Sequence, residues 1–152
     1  MLSGIELIPL RYFTDERGWF IEARRESWLA VRTVQTNVSF SRKGVIRGLH
    51  YHERGQDDLF VCLTGSARVV VLDRASGDAF TVDIGEDNPV AVHIPGHYAH
   101  GFEALTDVLF CYHVTTEYDP SSPDELEIRL DDPRVRHLWS TETPILSVRD
   151  AS

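Results

Sequence analysis

The stretch Asn37-Val-Ser-Phe-Ser-Arg-Lys-Gly-Val-Ile-Arg-Gly-Leu-His-Tyr-His52 carries His50 and His52 two positions apart in a segment with the pattern of a strand. Side chains at i and i+2 leave a strand on the same face, so both imidazoles and the nearby Arg47 are expected around one surface or cavity. Imidazole suits proton transfer near neutral pH and is also the commonest metal ligand. The stretch therefore predicts either an acid–base site or a metal site.

Short runs rich in Val, Ile, Phe and Tyr recur on both sides of this stretch and predict an all-β chain. Clusters of turn-forming residues, such as Gly85-Glu-Asp-Asn-Pro89, separate the runs. Many short strands at this spacing are typical of a sandwich or jelly roll. A short helical turn is expected near 25–31, and a loop with another helical turn from Asp119 onward. The predicted strands are 8–13, 19–23, 34–41, 45–51, 58–63, 66–73, 79–84, 89–94, 100–105 and 108–115.

Length and charge limit the classes of function. A chain of 152 residues is expected to form one domain with its own core. A net charge of −9 disfavours nucleic acid as a partner, because phosphate binding needs a basic patch. No apolar run approaches the ~20 residues that span a bilayer, and the first residues lack the pattern of a signal peptide. Cys62 and Cys111 lie in apolar runs and are expected to be buried thiols of a cytoplasmic protein.

Two blocks of the sequence resemble the two motifs of the cupin superfamily. The first block runs from Gly44 to Gly65 and the second is Pro95-Gly-His-Tyr-Ala-His100. The resemblance implies a double-stranded β-helix jelly roll, in which the first motif is a β-hairpin. It also implies a divalent transition metal such as Zn, Fe, Mn or Ni, because three imidazoles and one carboxylate suit these ions. The implied ligands are His50, His52, Asp58 and His100. The alternative is that these side chains line the barrel without a metal.

A more specific resemblance is to the dTDP-4-dehydrorhamnose 3,5-epimerases, the RmlC-type sugar-nucleotide epimerases. The matching blocks follow the family's order and span nearly all of residues 1–152, which implies a single RmlC-like cupin domain. The family's members are isomerases, and the resemblance implies the same class here. The blocks are Phe13-Thr-Asp-Glu-Arg-Gly-Trp-Phe20, Gln35-Thr-Asn-Val-Ser-Phe-Ser41, Lys43-Gly-Val-Ile-Arg-Gly-Leu-His-Tyr51, Ala99-His-Gly-Phe102, Tyr118-Asp-Pro120, Asp131-Asp-Pro133 and Pro144-Ile-Leu-Ser-Val-Arg-Asp150.

The resemblance implies epimerisation of an NDP-4-keto-6-deoxysugar at C3, C5 or both, by removal of a proton next to the ketone. His50 matches the catalytic base, Asp150 the carboxylate paired with it, and Tyr112 the residue that returns a proton on the opposite face. No cofactor is implied, since the ketone already acidifies the C–H bond. A homodimer is also implied, in which an N-terminal strand such as Ile5–Leu10 crosses to the partner.

Further residues match the family's substrate-binding positions. Arg47 and His100 match groups around the keto oxygen, where negative charge develops and fixed donors lower the barrier. Positions that hold the nucleotide diphosphate or the sugar are matched by Arg17, Gln35, Asn37 and Tyr118. The remaining histidines match no role and are expected to be surface or structural residues. They are His93, His97, His113 and His137.

Two residues depart from the family pattern. His52 stands where the family commonly has Gln, and Asp58 replaces the Lys of a Gln-x-Lys-Leu pattern. A carboxylate near a developing enolate is unfavourable, and both changes approach the metal-cupin pattern. Three functions therefore stay open: a cofactor-free epimerase, a metal-dependent cupin enzyme, and a sugar-nucleotide-binding protein without turnover. The first two exclude each other at His50, because a ligated imidazole cannot act as a free base.

Overall fold

The computed structural model describes residues 1–147 and Asp150. Within this part of the chain, strands dominate and each of the two 3₁₀ helices has three residues, Glu26–Trp28 and Arg136–Leu138. None of the helices described is long and apolar enough to cross a membrane. The strands are β1 (Glu6–Pro9), β2 (Tyr12–Asp15), β3 (Gly18–Ile21), β4 (Gln35–Ser41), β5 (Ile46–Tyr51), β6 (Asp58–Thr64), β7 (Ser66–Leu72), β8 (Ala79–Gly85), β9 (Val90–Ile94), β10 (Ala99–Ala104), β11 (Val108–Val114) and β12 (Leu126–Glu127).

The strands form two five-stranded sheets in the orders β1-β9-β6-β11-β4 and β12-β5-β10-β7-β8, and β2 pairs with β3 in a separate hairpin. The predicted all-β jelly roll with short helical turns is confirmed. The predicted strand 8–13 is instead two strands, β1 and β2, and β1 ends at Pro9. Proline interrupts strand pairing because it has no N–H to donate.

The hairpin expected for the first cupin-like motif is not formed. β5 pairs with β10 and β12, whereas β6 pairs with β9 and β11 in the opposite sheet. The residues of that motif therefore face one another across the interior of the barrel. This topology brings Asp58 toward the histidines from the opposite sheet, and not from a neighbouring strand.

The long apolar runs of the sequence fit strands that are buried on both faces. Val69 and Val71 of β7 belong to the core between the two sheets, and Val70 and Leu72 pack into a second cluster on the outer face. That outer cluster is covered by the C-terminal segment through side chains such as Trp139 and Leu146. Because both faces are covered, the strand has no alternation of polar and apolar residues.

Two glycines allow the close approach of the strands that carry His50 and His100. A Cβ atom on Gly101 would lie 2.3 Å from the carbonyl oxygen of Arg47, and one on Gly48 would lie 2.8 Å from the Cα of Gly101. Gly48 also has a φ of +145°, which side chains rarely adopt. The register of β5 and β10 shifts at this point, and His50 lies directly opposite His100.

Candidate active site

His50 is held between two carboxylates. Its Nε2 lies 3.0 Å from an Asp150 oxygen, and its Nδ1 lies 3.3 Å from Glu125. The second Asp150 oxygen accepts a hydrogen bond of 3.4 Å from the backbone N–H of Gly48. The C-terminal segment that carries Asp150 reaches β5 because Ile145 forms a β-bridge with Val45. The structure thus places the predicted base and its predicted carboxylate in direct contact.

A second cluster, which we call the buried triad, consists of His52, Asp58 and His100. Each of the three is at most 6% exposed. Asp58 Oδ2 lies 3.2 Å from His100 Nε2, and Asp58 Oδ1 lies 3.8 Å from His52 Nε2. Burial favours the neutral carboxyl of Asp58, but the hydrogen bond and charge of His100 outweigh it and lower the pKa. Burial also opposes the charge of His100, whose pKa is nevertheless raised by Asp58.

The metal set implied by the cupin resemblance is wrong in one member. The metal-ligand atoms of His52, Asp58 and His100 lie within 4.8 Å of one another, whereas His50 groups with Glu127 and Asp150. The reason is local, since β5 ends at Tyr51. His52 therefore follows the strand and does not continue its alternation, so the two histidines enter different clusters.

Tyr112 lines a cavity of about 560 Å³ next to the buried triad. Its ring packs edge-on against Phe60, which also contacts the ring of His100. Burial and the charges of Asp58 and Glu125 raise the pKa of Tyr112, against the smaller effect of Arg47. The phenol therefore keeps its proton at neutral pH. The other residues lining the cavity include Gln35, Asn37, His52, Arg54, Gln56, Tyr118, Asp124 and Glu125.

The predicted substrate-binding residues Gln35, Asn37 and Tyr118 meet at one wall of this cavity. The Gln35 side-chain amide donates a hydrogen bond of 2.9 Å to Asn37 Oδ1. Its oxygen accepts one of 2.9 Å from the backbone N–H of Tyr118. Three polar groups are thus fixed in relation to one another, although they come from β4 and from the loop after β11.

Arg47 lies with His50 and Asp150 at a neighbouring cavity of about 380 Å³. Its guanidinium donates hydrogen bonds to Ser41 Oγ and to the carbonyl of Phe40. Glu125 joins the two cavities, since it lines the larger one and contacts His50. Glu125 therefore connects the predicted base to the cavity that the predicted proton donor lines.

Arg17 does not line either cavity. It lies in the turn between β2 and β3, where its side chain is 86% exposed and pairs with Asp15. The hairpin also exposes Phe13, Trp19 and Phe20. The structure therefore separates Arg17 from the other predicted site residues of the same chain.

The sequence reasoning missed Arg54, Gln56 and Glu125 as site residues. Gln56 bridges the buried triad, with its amide nitrogen 3.0 Å from Asp58 Oδ1 and 3.2 Å from His52 Nε2. Thr116 donates to the Gln56 oxygen at 2.7 Å, which fixes the orientation of the amide. These residues lie in loops, where side-chain periodicity gives no signal. The only indication in the sequence was that polar residues, including Arg54 and Gln56, follow directly after the His50–His52 motif.

The family model of dTDP-4-dehydrorhamnose 3,5-epimerase matches residues 1–152. The spore coat polysaccharide biosynthesis protein SpsL of Bacillus subtilis is 37% identical over 93% of this chain and 99% of its own length. RmlC of Legionella pneumophila, solved with dTDP-4-keto-L-rhamnose, has a TM-score of 0.86 and 32% identity over 99% of this chain and 86% of that one.

A third similar structure is ChmJ, a 3′-monoepimerase of Streptomyces bikiniensis solved with dTDP-quinovose. It has a TM-score of 0.85 and 28% identity, and the match covers 99% of this chain and 83% of that one. Fold, site and comparisons together define a cupin-type isomerase. The chain belongs to the dTDP-4-dehydrorhamnose 3,5-epimerase family.

Proposed function

We propose that this chain epimerises a nucleoside-diphosphate-linked 4-keto-6-deoxysugar, with dTDP as the nucleotide. Family membership and the named substrates of its relatives support this substrate class. The observation that carries the proposal is the pairing of His50 with Asp150 at one side of the site, with Tyr112 in the adjoining cavity. Such an arrangement offers a base and an acid to a sugar ring placed between them.

In the proposed reaction His50 removes the proton next to the ketone. Asp150 accepts a hydrogen bond from Nε2–H and so leaves Nδ1 unprotonated. Nδ1 faces Glu125, which lines the substrate cavity, so the sugar would meet this nitrogen by taking the place of the Glu125 carboxylate in front of it. The carboxylate also stabilises the imidazolium that forms.

Tyr112 returns a proton to the other face of the ring. Its raised pKa supports this role, since a donor must hold its proton until the enolate forms. Arg47 and His100 are proposed to stabilise the negative charge on the keto oxygen. Fixed positive groups reduce the cost of that charge in a site that excludes water. The proton transfers need no cofactor, because the ketone supplies the acidity.

We propose that Gln35, Asn37 and Tyr118 bind the sugar or the nucleotide, and that a homodimer completes the site. Apart from Arg54, the charged residues that line the large cavity are acidic, including Glu117, Asp119 and Asp124. A diphosphate needs more positive charge than this wall offers. Arg17 of a second copy would supply it from the exposed β2–β3 hairpin.

The open edge of β4 supports such a dimer. β4 is the last strand of its sheet, and its Val38 and Phe40 are 60% and 58% exposed. An unpaired apolar edge strand is a site of pairing with another chain. We further propose that residues 1–152 act as one domain in the cytoplasm and without nucleic acid. Cys62 and Cys111 are buried free thiols, as is usual in a reducing compartment.

Exchange with solvent deuterium tests the proposed reaction. The protein is incubated with a dTDP-4-keto-6-deoxyhexose in D₂O, and NMR locates deuterium at C3, C5 or both. We expect incorporation by the native chain, none by His50→Ala, and full incorporation by His97→Ala, whose histidine is exposed. Equal exchange in His50→Ala would refute the assignment of the base. Tight binding without exchange in the native chain would instead support a binding protein.

A further inference from the structure

We propose that the buried triad binds one first-row divalent transition metal ion, of which Zn²⁺ is the reference probe. The ligands would be His52 Nε2, His100 Nε2 and one oxygen of Asp58. This site differs from the proposed catalytic pair, because it does not include His50. Metal binding would exclude the role proposed above for His100 at the keto oxygen, but it leaves His50 free to act as the base.

The backbone orients both imidazoles as metal ligands. His100 Nδ1 is 2.8 Å from the carbonyl oxygen of Tyr98, and His52 Nδ1 is hydrogen-bonded to the carbonyl oxygen of Asp124. A carbonyl can only accept, so each Nδ1 must carry the proton that it donates. Each Nε2 then points toward Asp58, where His52 Nε2 accepts from Gln56 and His100 Nε2 is the atom that a metal ion would bind in place of its proton. A metal-binding histidine is typically held in this way, with its other nitrogen donating to a carbonyl or carboxylate.

The distances within the triad fit one ion. Protein ligands about 2.0–2.2 Å from a tetrahedral ion lie roughly 3.3–3.6 Å from one another. His100 Nε2 lies 3.2 Å from Asp58 Oδ2 and His52 Nε2 lies 3.8 Å from Asp58 Oδ1, and one ligand atom from each of the three residues lies within 4.8 Å of the others. Two histidines and one carboxylate are a common ligand set for catalytic zinc and for non-haem iron. Small side-chain rotations are enough to bring all three donors into contact with a shared ion.

Electrostatics also favour a cation at this point. Asp58 is a buried carboxylate, and the positive charge beside it is carried by the Nε2–H of His100. A divalent ion could take the place of that proton and bind the carboxylate and both imidazoles together. The Gln56 amide already donates to His52 Nε2 and to one Asp58 oxygen, so both atoms face a positive partner in the described structure.

Three protein ligands leave at least one coordination position for water or another ligand. Gln56 contacts the triad and lines the large cavity together with His52, so this position would open toward the cavity. His50 stays outside the ligand set, with its nitrogens facing Asp150 and Glu125. A metal ion in the triad is therefore compatible with His50 as a free base. The sequence had instead predicted that metal binding and base catalysis would exclude each other at His50.

The test uses the full chain, freed of metal with a chelator and reloaded with Zn²⁺ or Co²⁺. We expect about one metal per chain by mass spectrometry after gel filtration. Co²⁺ should give the visible absorption of a low-coordinate site, and Zn²⁺ should raise the melting temperature, because a ligand of the native state stabilises it. His52→Gln and Asp58→Asn should lose all three signals.

His50→Ala is the matched control, because His50 with Glu127 and Asp150 forms the other close group of donors among the described residues. It should lose deuterium exchange and keep the metal. Retention of metal in His52→Gln with loss in His50→Ala would overturn the assignment. So would a native chain that takes up less than about a tenth of an equivalent and gains no thermal stability, which would indicate a protonated His100–Asp58 pair instead. The native-chain measurements decide the matter even if a triad variant fails to fold.

Discussion

Asp150 lies 3.0 Å from the Nε2 atom of His50, although 100 positions separate them in the chain. The contact depends on the backbone of Gly48, whose N–H donates to the same carboxylate. The orientation of the proposed base is thus set jointly by its own strand and by the C-terminal segment.

Asp150→Asn should lower the rate of deuterium exchange by about 10²–10⁴-fold, the usual range for loss of a group that supports acid–base catalysis. An amide can present its N–H to Nε2 and so stabilise the wrong tautomer of His50. The measurement is the initial rate of deuterium incorporation, followed by NMR. Asp131→Asn, an exposed carboxylate paired with Arg129, is the control and should leave the rate unchanged. A similar loss in both variants would remove Asp150 from the mechanism.

Tyr112→Phe should separate proton removal from proton return. The phenyl ring keeps the edge-on packing against Phe60, so stability should change little. We expect exchange at the carbon attacked by His50 to continue, while formation of the epimerised sugar falls by about 10²-fold or more. NMR of the product mixture measures both quantities at once. Undiminished epimerisation would show that another group donates the proton.

Val38→Glu should dissociate the proposed homodimer. The native chain should elute and scatter light at about twice its mass of 17.3 kDa. A charge in the middle of the exposed face of β4 cannot be buried without a large desolvation cost. Thr81→Glu is the matched control, since Thr81 is exposed on β8 at the edge of the other large sheet. A native monomer at micromolar concentration, or a Val38→Glu dimer, would rule out this interface.

The His93–Asp57 pair should make stability depend on pH. Burial disfavours the charged ring, but the hydrogen bond and charge of Asp57 outweigh it and raise the pKa of His93 above 6.5. A raised pKa in the folded state stabilises the protein below the unfolded value, and the contribution is lost as the pH rises through the folded value. We therefore expect the stability advantage of the native chain over His93→Gln to be largest near pH 5–6 and to shrink toward pH 9.

Chemical denaturation of both proteins at several pH values measures that advantage. His97→Gln serves as the control, since its exposed side chain should not alter the pH dependence. Parallel stability curves for the native chain and His93→Gln would show that His93 is not charged in the folded protein. Asp57 acts in the opposite direction, because its lowered pKa stabilises the fold above the unfolded value and this contribution is lost as the pH falls through the folded value.

Much of the fold follows from local sequence patterns. β6 and β7 are continuous apolar runs bounded by turn residues, and the structure forms both close to the predicted positions. The first predicted strand is wrong because Pro9 divides it. The pairing of strands does not follow from local patterns, since β5 and β6 are neighbours in sequence but belong to opposite sheets.

In the site, too, some features could be predicted from the sequence and others could not. His50, Asp150 and Tyr112 were predicted from the resemblance to a family, because no local pattern relates residues that lie far apart in the chain. The i, i+2 rule placed His50 and His52 together, which would hold if β5 continued through His52. The strand ends one residue earlier, and the carbonyl of Asp124 turns the ring of His52 toward Asp58. Glu125 escaped prediction because its loop has no periodicity.

Asp124 and Glu125 are consecutive, yet one orients His52 and the other faces His50. A shift of this single peptide changes the surroundings of both imidazoles at once. If metal binding to the triad shifts this peptide, it would change the affinity of the sugar cavity, and binding in the cavity would change the affinity of the triad by the same factor. The loop before β12 would then act as a reciprocal coupling element between the triad and the sugar cavity, in addition to His52, which belongs to both.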